Sequence, residues 1–173
     1  MNAAVRVLTP SSRDQVAAHL LALPADERRL LFGTPFTDAA ILGYAVILNF
    51  SRDKLFGVFE EGALVGVAHL AVEPHGASAQ LRISVAPASR CRGYGYALLY
   101  VSARHARRLA CRRLDVHHLA ENRILVHLAR KAGMSVISAA GEAGAYIALG
   151  AEPADAADSG LLASLESVEQ VSR

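Results

Sequence analysis

A chain of 173 residues is long enough for one domain to bury its core without a metal or disulfide staple. A net charge of +2 argues against nucleic-acid binding by bulk charge, and two cysteines, Cys91 and Cys111, make neither a disulfide framework nor a metal-ligand spacing. No run approaches the roughly 20 apolar residues of a membrane span and MNAAVRVLTPSS holds no signal-peptide core, so a cytoplasmic protein off the membrane is expected.

Val5 and Val7 predict a short first strand. Thr9-Pro10-Ser11-Ser12 carries helix-start chemistry, and Val16, Leu20 and Leu23 then trace one helical face. Pro24 opens a second helix, PADERRLLF, with Asp26 and Glu27 in the first turn, where the helix dipole favours them. A third helix starts at Thr37-Asp38 and continues as AAILGYAVILNF. It is apolar on nearly every side, as suits a helix that lies on a sheet, roofs a cleft or faces a partner.

KLFGVFEEG and ALVGVAHLAVE are β-rich and meet at Glu61-Gly62, a hairpin signature. The loop PHGASA leads to a third strand, QLRISV, closed by Ala86-Pro87. A helix is predicted from about Gly95 to Leu109, then a strand over LDVHHLA and a helix over NRILVHLARKAG that Gly133 stops. A last strand pair falls in SVISAAGEAGAYIAL, which completes a mixed α/β sheet within residues 1–150. From Ala151 the composition changes. EPADAADSG is loop-like, and Leu161, Leu165 and Val168 fall at helical spacing, so residues 151–173 read as a loosely ordered or docking tail, or as a short amphipathic helix that caps a groove or reaches a second subunit.

The stretch RCRGYGYAL, Arg90 to Leu98, stands between the apolar run LRISVAP and the helical pattern ALLYVSARHARRL. The first amides of a helix lack intrahelical partners and sit at the positive end of its dipole, so an anion placed there meets aimed donors. Gly93 and Gly95 let the backbone come close to that anion, and Arg90 and Arg92 add charge that complements phosphate. No Gly-Lys-Ser/Thr follows, which excludes a triphosphatase phosphate loop, and no third glycine completes a dinucleotide fingerprint.

The order Arg-x-x-Gly-x-Gly, after a strand ending V-x-P and before A-L-L, resembles the acetyl-CoA motif of the GCN5-related N-acetyltransferases (GNAT). LDVHHLAENRILVHLARKAGM, with Asn122 and then Gly133-Met134, resembles the strand and helix that follow in that family, and the likeness covers about residues 3–150. It implies a mostly antiparallel sheet of six to seven strands flanked by helices, with acetyl-CoA as co-substrate. It further implies that the backbone of Ile83, Ser84 and Val85 pairs with the pantetheine arm where two parallel strands part. The amides of Cys91, Arg92, Gly93, Tyr94, Gly95 and Tyr96 would cradle the pyrophosphate, and Asn122 would touch the arm from the other side.

The activity so implied is transfer of acetyl to a primary amine, on a small molecule or a protein, by direct attack in a ternary complex; a homodimer is common among relatives. An ammonium must lose a proton before it attacks. Relatives carry a glutamate five residues before the asparagine, and here that position is His117, whose ordinary pKa of about 6.5 suits a base. On a strand His117 and His118 would face opposite ways, so at most one would reach the cleft. His69 and Glu73, on the strand before the cofactor strand, are the reserve candidates.

Ala129 stands where relatives often carry the tyrosine that protonates the leaving thiolate, with Tyr94 and Tyr146 as possible substitutes. A catalytically silent CoA-binding module is therefore the alternative to an enzyme. Arg104, Arg107, Arg108, Arg112 and Arg113 crowd the end of the long helix, where attraction to the helix C-terminus competes with binding the cofactor's 3′-phosphate or an acidic partner. No aromatics are interleaved with them, as nucleic-acid stacking would require. Cys91 reads as loop filler, since direct transfer needs no acyl-cysteine.

Overall fold

The computed structural model describes residues 4–138 and 145–150, so the expectation for the tail from Ala151 lies outside the described residues. β1 (Val5–Val7) is followed by a 3-10 turn at Pro10–Ser12 and α1 (Arg13–Leu21). α2 (Ala25–Phe32) begins after Pro24 and ends at Gly33, which turns into the left-handed region at φ 84°. α3 (Asp38–Ile47) is capped by the Thr37 hydroxyl, which accepts from the Ala40 amide. β2 (Lys54–Glu60) and β3 (Ala63–Val72) form the predicted hairpin, with positive φ at both Glu61 and Gly62. β4 (Ser78–Val85), α4 (Tyr94–Arg108), β5 (Arg113–Asp115), α5 (Arg123–Lys131), β6 (Ser135–Ser138) and β7 (Ala145–Ala148) complete the described chain.

The strands make one seven-stranded sheet in the order β1-β2-β3-β4-β5-β7-β6. Every neighbouring pair is antiparallel except β4 and β5, which run parallel. Strand alternation then divides the core. Leu70, Leu81, Leu98, Leu99, Leu114 and Ile147 fill one face under α4 and α5, and Val16, Leu20, Ile41, Leu55 and Val67 fill the other under α1 and α3. Burying each large side chain contributes about 1.5–3 kcal/mol, so both layers hold the sheet firmly.

Two expectations change. α3 buries only Ile41 and Ala45, while Leu42, Val46 and Ile47 are exposed; it packs on α1 and lowers Tyr44 over a cavity. The strand predicted over LDVHHLA stops at Asp115, and the chain turns from His117 to Glu121, with His118 at φ 49°. The cause is tertiary. The two histidines meet the Gly33 turn, where the His118 ring lies 2.9 Å from the Gly33 carbonyl, so the backbone leaves the sheet early. His117 and His118 therefore lie in a turn and are not set on opposite faces by strand alternation. Among the described residues no helix is long and apolar enough to cross a membrane.

Candidate active site

Because β5 ends early, β4 pairs with it only from Ser78 to Gln80, opposite Arg113 to Asp115. Beyond Gln80 that edge of β4 has no strand neighbour among the described residues. Ala86 donates to Val65 of β3, so alternation turns the peptide groups of Ser84 and Arg82 toward β3 and those of Ile83 and Val85 toward the open edge. Of the three residues expected to offer backbone to a ligand arm, Ile83 turns both peptide groups to the open edge and Val85 only its amide, since Arg90 takes the Val85 carbonyl. Ser84 turns neither; its hydroxyl instead lies 2.9 Å from Nε2 of the buried His19.

The open edge leads into the loop before α4. Among the described residues, no acceptor is found for any amide N–H from Cys91 to Tyr96; the first bond of the helix is from Ala97 to the Gly93 carbonyl. Six unpaired donors thus lie at and just before the start of a 15-residue helix. Gly93 makes the turn at φ 84°, and a Cβ there would meet nothing within 4 Å, so the space above it is open. Gly95 serves packing, since a Cβ on it would come within 3.1 Å of Leu128 on α5. An unpaired strand edge running into a row of unpaired amides fits an amide-rich arm that ends in a diphosphate.

The arginines of this loop act differently from the expectation that they add free charge. Arg90 donates from Nε and Nη2 to the Val85 carbonyl at 3.2 and 3.1 Å and also pairs with Glu27 of α2. Arg92 pairs with Glu60 at 2.6 Å, and the same carboxylate accepts from Ser89 Oγ at 2.7 Å and from the Tyr94 hydroxyl. The Tyr94 and Ser89 bonds and the Arg92 charge hold Glu60 below the usual carboxylate range. Both guanidinium groups brace the loop, and the backbone supplies its donors. Cys91 is exposed at φ 61°.

On the other face of β4, Arg82 and Ser84 line a cavity closed by Leu20, Phe32, Tyr44 and His69. Two hydrogen-bonded chains end there. In the first, the Tyr44 hydroxyl bonds His69 Nδ1, and His69 Nε2 lies 2.9 Å from Asp53 Oδ2. Asp53 is buried yet stays below the usual carboxylate range: burial pushes it up, but the bonds from Arg52 and His69 outweigh that. Burial pulls His69 down despite Asp53, and pushes Tyr44 up to about 12. At neutral pH the set is an anionic Asp53, a neutral His69 that donates to it, and a Tyr44 hydroxyl that donates to His69 Nδ1.

In the second chain Gln80 Nε2 lies 2.7 Å from His117 Nε2, while Gln80 Oε1 accepts from Arg82 Nη2 at 3.1 Å. The His117 Nε2 lone pair is thus engaged, and burial together with the Arg82 charge pulls its pKa down. A Cβ on Gly33 would sit 2.9 Å from His117 Nδ1, so only glycine lets the α2 turn approach this ring. Glu73 lies outside β3, exposed in the turn before β4, and is not brought to the cavity. Among the described residues no His, Cys, Asp and Glu cluster could hold a metal.

The model of the acetyltransferase (GNAT) family matches residues 18–134, more than half of the chain. The chain belongs to the GNAT family. Its co-substrate is accordingly acetyl-CoA, and it is an N-acetyltransferase by family. No curated protein matches the sequence. Solved structures share the fold at low identity. The GNAT domain of S. lividans PAT is 16% identical with a TM-score of 0.66, over 83% of this chain and 88% of that one. YncA of Salmonella typhimurium, a putative acetyltransferase solved with acetyl-CoA, is 14% identical with a TM-score of 0.59, over 91% and 99%. The PaiA N-acetyltransferase of Thermoplasma acidophilum, solved with coenzyme A, is 16% identical with a TM-score of 0.57, over 86% and 98%.

Within this GNAT frame several features lay beyond the sequence reading. Asn122 caps α5, its side-chain oxygen accepting from the Leu125 amide at 3.0 Å, so only its amide nitrogen is left for a ligand. Ala129 is fully buried in the α5 core. Tyr94 gives its hydroxyl to Glu60, and Tyr146 lies on β7 opposite Asp115 with Arg113 over its ring at 5.2 Å. Tyr44, Asp53, Glu60, Gln80 and Arg82 were not singled out. The alternation of QLRISV, with Gln80, Arg82 and Ser84 on one face, was the local signal that could have found two of them.

Proposed function

We propose that this chain moves acetyl from acetyl-CoA to a primary amine of a small molecule or a protein, by direct attack in a ternary complex. The observation that carries the reading is the unpaired edge of β4, with the free amides of Cys91 to Tyr96 at one end and the His69 cavity beside it. In this reading the amides hold the pyrophosphate, and the peptide groups of Ile83 and the amide of Val85 hold the arm. Acetyl-CoA supplies the activated acyl group, and the protein orients it, excludes water and takes up the amine's proton.

The proton acceptor in this account is His69. As the amine attacks, it gives a proton to the Tyr44 oxygen, Tyr44 passes its own to His69 Nδ1, and Asp53 stabilises the imidazolium that results. His117 is the weaker candidate because Gln80 engages its Nε2. Water protonates the departing thiolate, since Ala129 has no hydroxyl.

The second reading, a silent module that only binds CoA, is favoured by one observation: the buried Ala129 leaves no acid at the position where relatives often carry tyrosine. Incubating the purified protein with acetyl-CoA and a panel of amines, while following free thiol, separates the two. Amine-dependent thiol release is expected; thermal stabilisation by acetyl-CoA without release over any amine would support the silent module.

A further inference from the structure

Among the cavity-lining residues Arg82 alone carries a permanent charge, and among the described residues it has no carboxylate partner. We infer that the acceptor amine carries an anionic group, a carboxylate, and that Arg82 anchors it. The inference rests on the acyltransfer reading and specifies its substrate.

Arg82 makes one hydrogen bond among the described residues, from Nη2 to Gln80, and its Nε is buried without an acceptor. A buried donor left unpaired is costly, so an arginine so placed points to an acceptor supplied by something else. The rings of Phe32 and Tyr44, each with its centroid 5.9 Å from the guanidinium carbon, stabilise the charge without satisfying its directed N–H groups. Asp53 is not available, because its oxygens serve Arg52 and His69.

The planar guanidinium fork matches a carboxylate bidentately. His117 holds Gln80, and Gln80 holds one edge of the fork, so the second chain of the cavity is a positioning device for Arg82. Tyr44 and Arg82 line the same cavity, so one small molecule seated against it would meet both. No uncommitted carboxylate lines the cavity to receive a second ammonium, which disfavours polyamines.

The test uses the full chain and matched acceptor pairs that differ only in the carboxylate: alanine and ethylamine, leucine and isoamylamine, phenylalanine and phenethylamine. Wild-type kcat/KM should favour the carboxylate member by about tenfold or more, the scale of a charge-assisted pair. Arg82→Gln should bring the ratio near one, mainly through the amine KM, with the acetyl-CoA KM unchanged; Arg82→Lys should retain part of it. Equal use of both members by the wild type, or an unchanged ratio in Arg82→Gln, would overturn the inference. If the Gln variant does not fold, the wild-type ratio and the Lys variant decide.

Absence of turnover with every amine, while acetyl-CoA still raises Tm, counts against acyltransfer itself. The anchor is then read by calorimetry on the CoA-saturated protein with N-acetylleucine and N-acetylisoamylamine. Preference for the carboxylate that Arg82→Gln abolishes supports the inference, and equal binding overturns it.

Discussion

The loop from Arg90 to Tyr96 presents backbone, while the cavity between α3 and β4 presents side chains. At the loop, six consecutive amides share one short stretch of chain, and two arginines and a tyrosine are spent on glutamates to hold its shape. At the cavity, each chemical group comes from a different element: Tyr44 from α3, His69 from β3, Arg82 from β4 and His117 from the turn after β5. A backbone site tolerates almost any side chain except where φ is positive, so it is robust and generic. A side-chain site depends on every member, so it can be specific. In the proposed reading one cleft thereby joins a fixed cofactor end to an acceptor end that can diverge.

Substitutions can break that contrast at either end. Gly93→Leu should act on the backbone end alone. The φ of 84° costs an ordinary residue about 1–2 kcal/mol, which the fold tolerates, while the branched side chain fills the open space above the amides. Acetyl-CoA binding by calorimetry should fall by about 100-fold or more with Tm nearly retained. Retained affinity would mean that the amides are not the receptacle.

His69→Gln should do the reverse, lowering kcat by about 10²- to 10⁴-fold with acetyl-CoA affinity unchanged. Tyr44→Phe should follow it with a smaller loss; steady-state kinetics beside cofactor titration checks both. Asp53→Asn removes one partner of a buried pair, Asp53 and His69 having side chains 2% and 8% exposed. It should cost about 1.5–3 kcal/mol in urea unfolding, the scale of a hydrogen bond to a charged group.

Acid gives a milder probe. Burial lowers His19 to about 4, so below about pH 6.5 the unfolded chain takes up a proton that the folded one refuses. Stability should therefore be complete above pH 6.5 and decline as pH falls toward 4, by on the order of 3 kcal/mol for this group. His69 and His117, also lowered by burial, act in the same direction. Urea midpoints at pH 7 and 5 should differ less in His19→Asn than in wild type. The smallest effect is expected from Glu60→Gln, which keeps the side-chain shape but loses the charge and one acceptor oxygen; acetyl-CoA should bind a few-fold more weakly through a looser loop.

How much of this could be read from the sequence follows from the same contrast. Hydrophobic periodicity and turn residues yielded the elements in order, because β2, β3, α4 and α5 each carry their own pattern. The cofactor loop was legible because its donors, glycines and helix start are contiguous between Arg90 and Leu98. β5 was overextended because the contact that ends it is with Gly33, more than 80 residues away along the chain. Tyr44, His69 and Asp53 have no shared local signature, and neither do Gln80 and His117, which only the fold brings together. His69 was reached as a reserve, from its strand, without the partners that give it a role.

Amide chemical-shift mapping of the 15N-labelled protein during titration with coenzyme A tests the account most directly. The largest shifts are predicted for Cys91 through Tyr96, then Ile83 and Val85, with the cavity residues nearly unmoved until an amine is added. Saturable binding that leaves Cys91 through Tyr96 unshifted, with the perturbation instead around the arginines at the end of α4, would contradict it.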